Sequence, residues 1–273
     1  MKIRSITVVL LAVLTLLLVL DARYRPEDPS PRQPSVELEF RPIPPMDPQA
    51  SRTEVFRRPQ GELTSLVLKG GLGVVKLKSG AGEELVVSAT ITAEREGDLA
   101  AFEVVEAASH SELSYELVNT GLGHSGEVGL SFEAEVPSGM EVTVQYDYGF
   151  VEVEDFVGFL KLVTRFSTVS VQGLQGTLQV DNQFGDVGLR NIAGPLTLES
   201  AFSSSRVQLL PVDGGYDFRI EVSNGSLAGN APVERDVQRN MTTARGKHGE
   251  GLHPVVIKSD FGSVKVDLAS SSR

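Results

Sequence analysis

No cysteine and no tryptophan occur among the 273 residues, and only four are histidine. Without thiols there is no disulfide framework, no cysteine-ligated zinc and no thiol nucleophile. His110 and His124 stand alone, without the serine and aspartate pattern that would mark a triad. His248, Glu250 and His253 in KHGEGLH match no compact metal-ligand spacing, and their glycines leave them unorganised. Positive charge is also in short supply. The formal charge is −11, and residues 59–273 hold 29 acidic against 16 basic side chains, a formal −13. Such a surface repels a phosphate backbone, so no nucleic acid is expected as a partner.

Long hydrophobic runs are absent except at the start. Lys2 and Arg4 precede an uncharged run from Ile6 to Leu20. Fifteen residues make a helix of about 22 Å, near the length of a signal-peptide core and short of a full ~30 Å hydrocarbon crossing unless its flanks help. Asp21 interrupts the site where a peptidase would cut. Residues 1–25 therefore read as a signal-anchor transmembrane helix, with a cleaved signal peptide as the alternative. Either way the rest of the chain is expected beyond the cytoplasmic membrane, single-pass and extracytoplasmic, or secreted after cleavage.

Nine of the fourteen prolines fall between residues 26 and 59. At that density no helix or central strand survives, because proline removes backbone donors and fixes φ. The spacing predicts an extended linker over 26–59, able to hold a domain up to about 90 Å from the membrane. From Glu62 onward the pattern is apolar alternating with polar, rich in Val, Leu, Ile and Thr, which is the signature of strands. One short helix is conceivable in DLAAFEVVEAA at 98–108, although a strand fits better.

The strands repeat. Val142, Leu160, Leu178 and Leu196 stand eighteen apart, as do Val144, Leu162, Val180 and Leu198. Halfway between come Val151, Val169 and Val187, then Val153, Val171, Leu189 and Val207, with only Ser205 breaking the series. Tyr148, Phe166, Phe184 and Phe202 form a further eighteen-residue series, and Gly158, Gly176 and Gly194 mark the ends of the units. A nine-residue unit with one apolar-x-apolar pair is one short strand plus one turn. Since the aromatic appears only in alternate units, the chain should return to the same place every eighteen residues. The predicted fold class is all-β, a β-helix or β-solenoid of about eighteen residues per turn built from two nine-residue half-repeats, over residues 60–270. Its repeats are clearest at 142–210. A strand-rich excursion at about 80–140 and a polar surface loop at 231–254 interrupt it. Tyr148, Phe166, Phe184 and Phe202 are expected to pile into one interior column beside Leu160, Leu178 and Leu196, so that Phe184→Asp would bury a charge.

The phrase DNQFGDVGLRNIAG at 181–194, the isolated first turn LVLKGGLGVVKLKSG and the proline-ended strand LSFEAEVPSG resemble a known family, the bacterial putative adhesins. The resemblance covers about residues 60–268. It implies a β-helical or β-solenoid domain, exported or tethered by one membrane segment, and it supplies no catalytic residues. A phenylalanine or tyrosine here occupies a turn position that is often small and polar in the family.

Other chemistry finds little footing. Polysaccharide cleavage needs carboxylates converging on one groove, but Asp147 is followed one turn later by Arg165, Glu152 by Ser170 and Glu154 by Gln172, while Asp155 and Asp186 stand apart. GLGHSG at 121–126 matches a dinucleotide fingerprint in letters only, because a strand pattern follows it instead of a helix. The repeat lacks the hexapeptide unit of acyltransferase coils and the Gly-Gly-x-Gly-x-Asp unit of calcium rolls. No catalytic residue, cofactor or metal site is expected. The reading is a non-enzymatic binding module at the bacterial cell envelope, with an envelope component or membrane protein as partner. A scaffold assembling end to end and an extracytoplasmic sensor working with a membrane partner are the alternatives.

Overall fold

The computed structural model describes residues 50–121 and 127–270. The apolar run at 6–20, the proline-rich segment up to residue 49 and most of GLGHSG lie outside the described residues. Those described are all-β. Among the described residues seventeen strands join one hydrogen-bonded sheet, and the one helix has four residues.

The eighteen-residue period sets the strand pairing directly. Strands β7 (Glu141–Arg165) and β8 (Ser167–Gln183) run parallel, with Leu160 opposite Leu178, Leu162 opposite Val180 and Val151 opposite Val169. Strand β9 (Val187–Ala193) continues one half of the register and β10 (Leu196–Ala201) the other, placing Val187 opposite Val169 and Leu196 opposite Leu178. Strand β11 (Ser204–Leu209) follows, with Ser205 opposite Val187. Each eighteen-residue segment is thus a rung on its neighbour at the ordinary inter-strand spacing of ~4.8 Å. Leu160, Leu178 and Leu196 are buried in one column, as are Val151, Val169 and Val187 in another. Ser205 is buried among them and keeps a partner, Ser200, 3.4 Å away.

One corner of three successive rungs is stacked glycine. Gly158, Gly176 and Gly194 have φ of +148°, +136° and +131°, and a Cβ on Gly176 would lie 2.0 Å from the Gly158 carbonyl oxygen. The column admits no side chain, because rungs meet there backbone to backbone.

The first rung is β2 (Ser65–Gly80), which pairs with β7 on one side. Between them in sequence comes the excursion, which covers the rung's other side. Strands β5 (Glu112–Asn119) and β6 (Val128–Pro137) each pair parallel with one half of β2. Strands β3 (Glu84–Ala93) and β4 (Phe102–Ala108) extend these halves as antiparallel neighbours of β6 and β5. Of the helix conceivable at 98–108 only α1 (Glu96–Leu99) exists, just ahead of strand β4. The Tyr146 ring lies against Gly70, where a Cβ would approach it to 2.2 Å, and its hydroxyl donates to the Leu130 carbonyl. The KGGLG sequence of the first rung makes room for that ring.

Two sequence expectations fail at the margins. The linker was expected to run to residue 59, but β1 (Ala50–Pro59) is a full strand, antiparallel to β3 over ten residues. No proline falls between Gln49 and Arg58, so the backbone donors needed for pairing are present. Phe56 packs at 4.7 Å on Tyr115. The loop expected at 231–254 is largely a hairpin, β14 (Glu234–Gln238) and β15 (Met241–His248), laid antiparallel on β12 (Tyr216–Ser223). Solvent reaches most of its side chains, so it shows no apolar alternation to betray it.

The final rungs also depart from sequence order. Strands β16 (His253–Asp260) and β17 (Ser263–Leu268) pair with β10 and β11 on one side. On the other they pair with β12 and β13 (Ser226–Ala228). The last rung in the chain is therefore the next to last in space.

Two outcomes follow from this packing. Leu178→Ala, which empties the middle of a column, should cost about 2–5 kcal/mol in urea unfolding. Burial pushes the phenols of Tyr115, Tyr146 and Tyr216 up, and for Tyr115 the bond to Glu106 adds to this. A folded-state value above the unfolded one stabilises the fold at pH below ~10 and loses that contribution as pH rises further. An absorbance titration should show these tyrosines ionising together with alkaline unfolding, whereas smooth ionisation of a folded chain would refute their burial.

Candidate functional site

The most distinctive surface feature is built at the other corner. Four rungs reach it through an inward polar residue, turn at an aromatic and leave through a small residue: TRFS, NQFG, SAFS and SDFG. Phe166, Phe184, Phe202 and Phe261 have φ of 50°, 60°, 53° and 52°, the left-handed region that bulky side chains avoid. Three features hold them there. The N–H of Phe166 donates to the Gln183 carbonyl at 2.7 Å, that of Phe184 to Ala201 at 3.0 Å, that of Phe202 to Asp260 at 2.8 Å and that of Phe261 to Ser223 at 2.9 Å. Inside the corner, Thr164 donates to Asn182 Oδ1 at 2.7 Å, and Asn182 donates to the Gly185 carbonyl at 3.1 Å. Outside, the rings stack.

The left-handed turn also reverses which residues face in. Thr164, two before the aromatic, is buried, and so is Ser167, just after it. The aromatic between them is therefore thrown outward. Tyr148, Phe166, Phe184 and Phe202 do not form an interior column. They are 45, 48, 42 and 52 % exposed, and Phe261 is 51 % exposed. Strict alternation from Leu160 and Leu162 would place Phe166 inside; the corner breaks that alternation. Phe184→Asp consequently buries no charge.

The five rings form one ladder on the surface. Successive centroids are 5.2, 4.8, 4.9 and 4.9 Å apart, and ring planes lie within 8° of parallel. Rung spacing imposes this distance, and each contact is worth roughly 0.5–1.5 kcal/mol. Phe261 lies outside the eighteen-residue series of the other four in sequence. It continues the stack on Phe202 across 59 positions because β17 follows β11 in space. Leu72 holds the equivalent position below Tyr148 in the register, and Asn224, with φ of 53°, holds it in the rung beyond Phe261. At roughly 200 Å² per aromatic side chain, five half-exposed rings present about 500 Å² of contiguous apolar surface. The largest apolar patch on a soluble protein is commonly of this size and is often functional.

Polar side chains flank the ladder. The residues before the rings are Asp147, Arg165, Gln183, Ala201 and Asp260. Arg165 binds Asp147 through two bonds of 2.8 Å, and Ala201, the short member, leaves a shallow groove bounded by Gln183, Glu199, Ser223, Lys258 and Asp260. Lys258 spans that groove to Glu199 at 3.2 Å. Two residues past the rings stand Phe150, Thr168, Asp186, Ser204 and Ser263. Among the other acidic candidates, Glu152 faces Lys76 at 3.9 Å. His248 and His253 lie on opposite sides of Tyr216, each its partner in a neighbouring strand. Among the described residues no group of three His, Asp or Glu side chains is placed to share a metal ion.

Because the rings point outward, the ladder should be tolerant where the core is not. Phe184→Asn suits a left-handed position and should change unfolding stability by less than about 1 kcal/mol. A loss as large as that expected for Leu178→Ala would return the ring to the core.

No protein-family model and no curated protein matches the chain. Among solved structures it is similar to a putative cell adhesion protein from Clostridium sporogenes, with TM-score 0.43, 11 % identity and coverage of 81 % of this chain and 100 % of that one. It is also similar to a putative adhesin from Bacteroides fragilis, with TM-score 0.36, 11 % identity and coverage of 79 and 97 %. A putative lipid binding protein from Parabacteroides distasonis gives TM-score 0.30, 10 % identity and coverage of 80 and 97 %. What the aromatic ladder can do is accordingly read from its own side chains.

Proposed function

We propose that residues 50–270 form a β-solenoid of about eighteen residues per turn that serves as an adhesin-type binding module at the bacterial cell envelope. The observation that carries this reading is the ladder of five half-exposed, stacked aromatic rings on an otherwise acidic surface. The apolar run at 6–20, with Lys2 and Arg4 before it, would anchor the module in the membrane, and the prolines between 26 and 48 would hold it clear. The module is non-enzymatic in this reading: two of the carboxylates beside the ladder, Asp147 and Glu199, are paired across rungs with Arg165 and Lys258. End-to-end scaffolding is opposed by antiparallel additions at both ends, β3 and β4 beyond the first rung and the β14–β15 hairpin against β12.

The full chain in detergent micelles should be retained saturably by detergent-washed bacterial cell walls, relative to an equally acidic control protein. The triple variant Phe166→Asn, Phe184→Asn, Phe202→Asn should abolish retention while keeping the same unfolding transition. Absence of retention across salt and divalent-ion conditions, or retention indifferent to the triple variant, would overturn the proposal.

A further inference from the structure

We infer that the ladder binds an extended, uncharged β-1,4-linked glycan, one sugar to each rung; this rests on the binding-module reading above and supplies its ligand class. The ring faces are occupied by one another, so solvent meets a straight ridge of ring edges about 20 Å long. A ligand that covers this ridge must be long, flat and apolar on the contacting face. It must also carry hydrogen-bonding groups along both margins, because Asp147, Gln183 and Asp260 line one side and Thr168, Asp186 and Ser204 the other. A β-1,4-linked pyranose ribbon has this form, with C–H faces and hydroxyl-bearing edges. The notch at Ala201 gives those hydroxyls access to Gln183, Glu199 and Asp260.

Spacing separates this ligand from a peptide. An extended glycan of this linkage advances per sugar by nearly the rung distance of 4.8–5.2 Å, so each ring meets the C–H face of one sugar while the edges of successive sugars, each turned by half a revolution, alternate between the two margins. Side chains on one face of an extended peptide recur every ~6.6–6.8 Å, and they fall out of phase with the rings within two steps. Charge separates it from other partners. A chain carrying −11 repels anionic lipid headgroups, phosphate backbones and a second copy of itself, whereas a neutral glycan is indifferent to that field and offers hydroxyl donors to the flanking carboxylates.

The test is titration calorimetry of the full chain in detergent micelles with chito- and cello-oligosaccharides of two to seven sugars. Affinity should rise with each sugar up to five and then level, because the ladder has five rings. Phe184→Asn leaves two rings on either side and should bring the pentamer at least tenfold down, to the affinity of the dimer, with the dimer little changed. Maltohexaose, whose α-linkages coil the chain, should not bind. Affinity independent of length, pentamer binding unaffected by Phe184→Asn, or no binding of either series at millimolar concentration would overturn the inference. If cell walls still retain the chain through the three phenylalanines when no oligosaccharide binds, only the ligand class fails. Loss of wall retention as well would remove the binding module itself, and capture of a protease-sensitive wall component would give the ridge to a protein partner instead.

Discussion

The constraint on which everything else depends is the parallel backbone register that sets residue n opposite residue n + 18. Hydrogen bonding holds neighbouring strands about 4.8 Å apart, and so every position of a rung meets its own counterpart above and below. A side chain is then judged less by its immediate sequence than by the column it joins. Leucine columns fill the interior, glycine columns let backbones approach at one corner, and aromatic columns stack at the other. A single wrong residue is felt by two neighbours at once, which is why the inward positions vary so little in size while the outward row Asp147, Arg165, Gln183, Ala201 changes at every step.

A stack of rungs has two ends, and an uncovered rung presents a row of unpaired donors and acceptors to any other chain. The two excursions answer this. β5 and β6 cover the first rung, while the hairpin of β14 and β15 covers β12. The outermost strand on that side, β14, is five residues long and carries Glu234, Arg235 and Asp236, all exposed, which suits a protected edge. Inserting β16 and β17 between earlier rungs has a related effect. The last strands of the chain become interior, with Val255, Ile257 and Val264 buried and paired on both sides, instead of fraying at an end.

The period and the buried columns were legible in the sequence because the same physics writes both: identical surroundings every eighteen residues select like residues. The facing of the aromatics was also encoded, but in a different signal. The apolar pairs occupy even positions at Leu160 and Leu162 and odd ones at Val169 and Val171, so facing must switch once between them. Carrying the alternation straight through to Phe166 ignores that switch, and the small residues Ser167, Gly185, Ser203 and Gly262 mark where it occurs. The spatial order of the last rungs was less legible, since SDFG and VSNG both suit the corner. Only the ladder itself, which continues through Phe261 and not Asn224, distinguishes them. Strand β1 and the hairpin were missed for local reasons: one is masked by the prolines before it, and the other is wet on both faces.

The aromatic corner remains the feature that folding explains least. A bulky residue at positive φ costs roughly 1–2 kcal/mol, and a stacked neighbour returns about 0.5–1.5 kcal/mol, so the rings contribute little net stability. Asparagine occupies the equivalent corner at Asn224 with the same backbone geometry and without the strain. Four consecutive phenylalanines in space, drawn from positions as distant as Phe166 and Phe261, therefore hold a conformation that a cheaper residue would satisfy. Strain of this kind persists where the side chain it presents is useful. What these side chains present is a straight, regularly spaced apolar ridge, bordered by hydrogen-bonding groups and facing solvent. Its regularity is inherited from the backbone, and a ligand that repeats at the same interval is the one best matched to it.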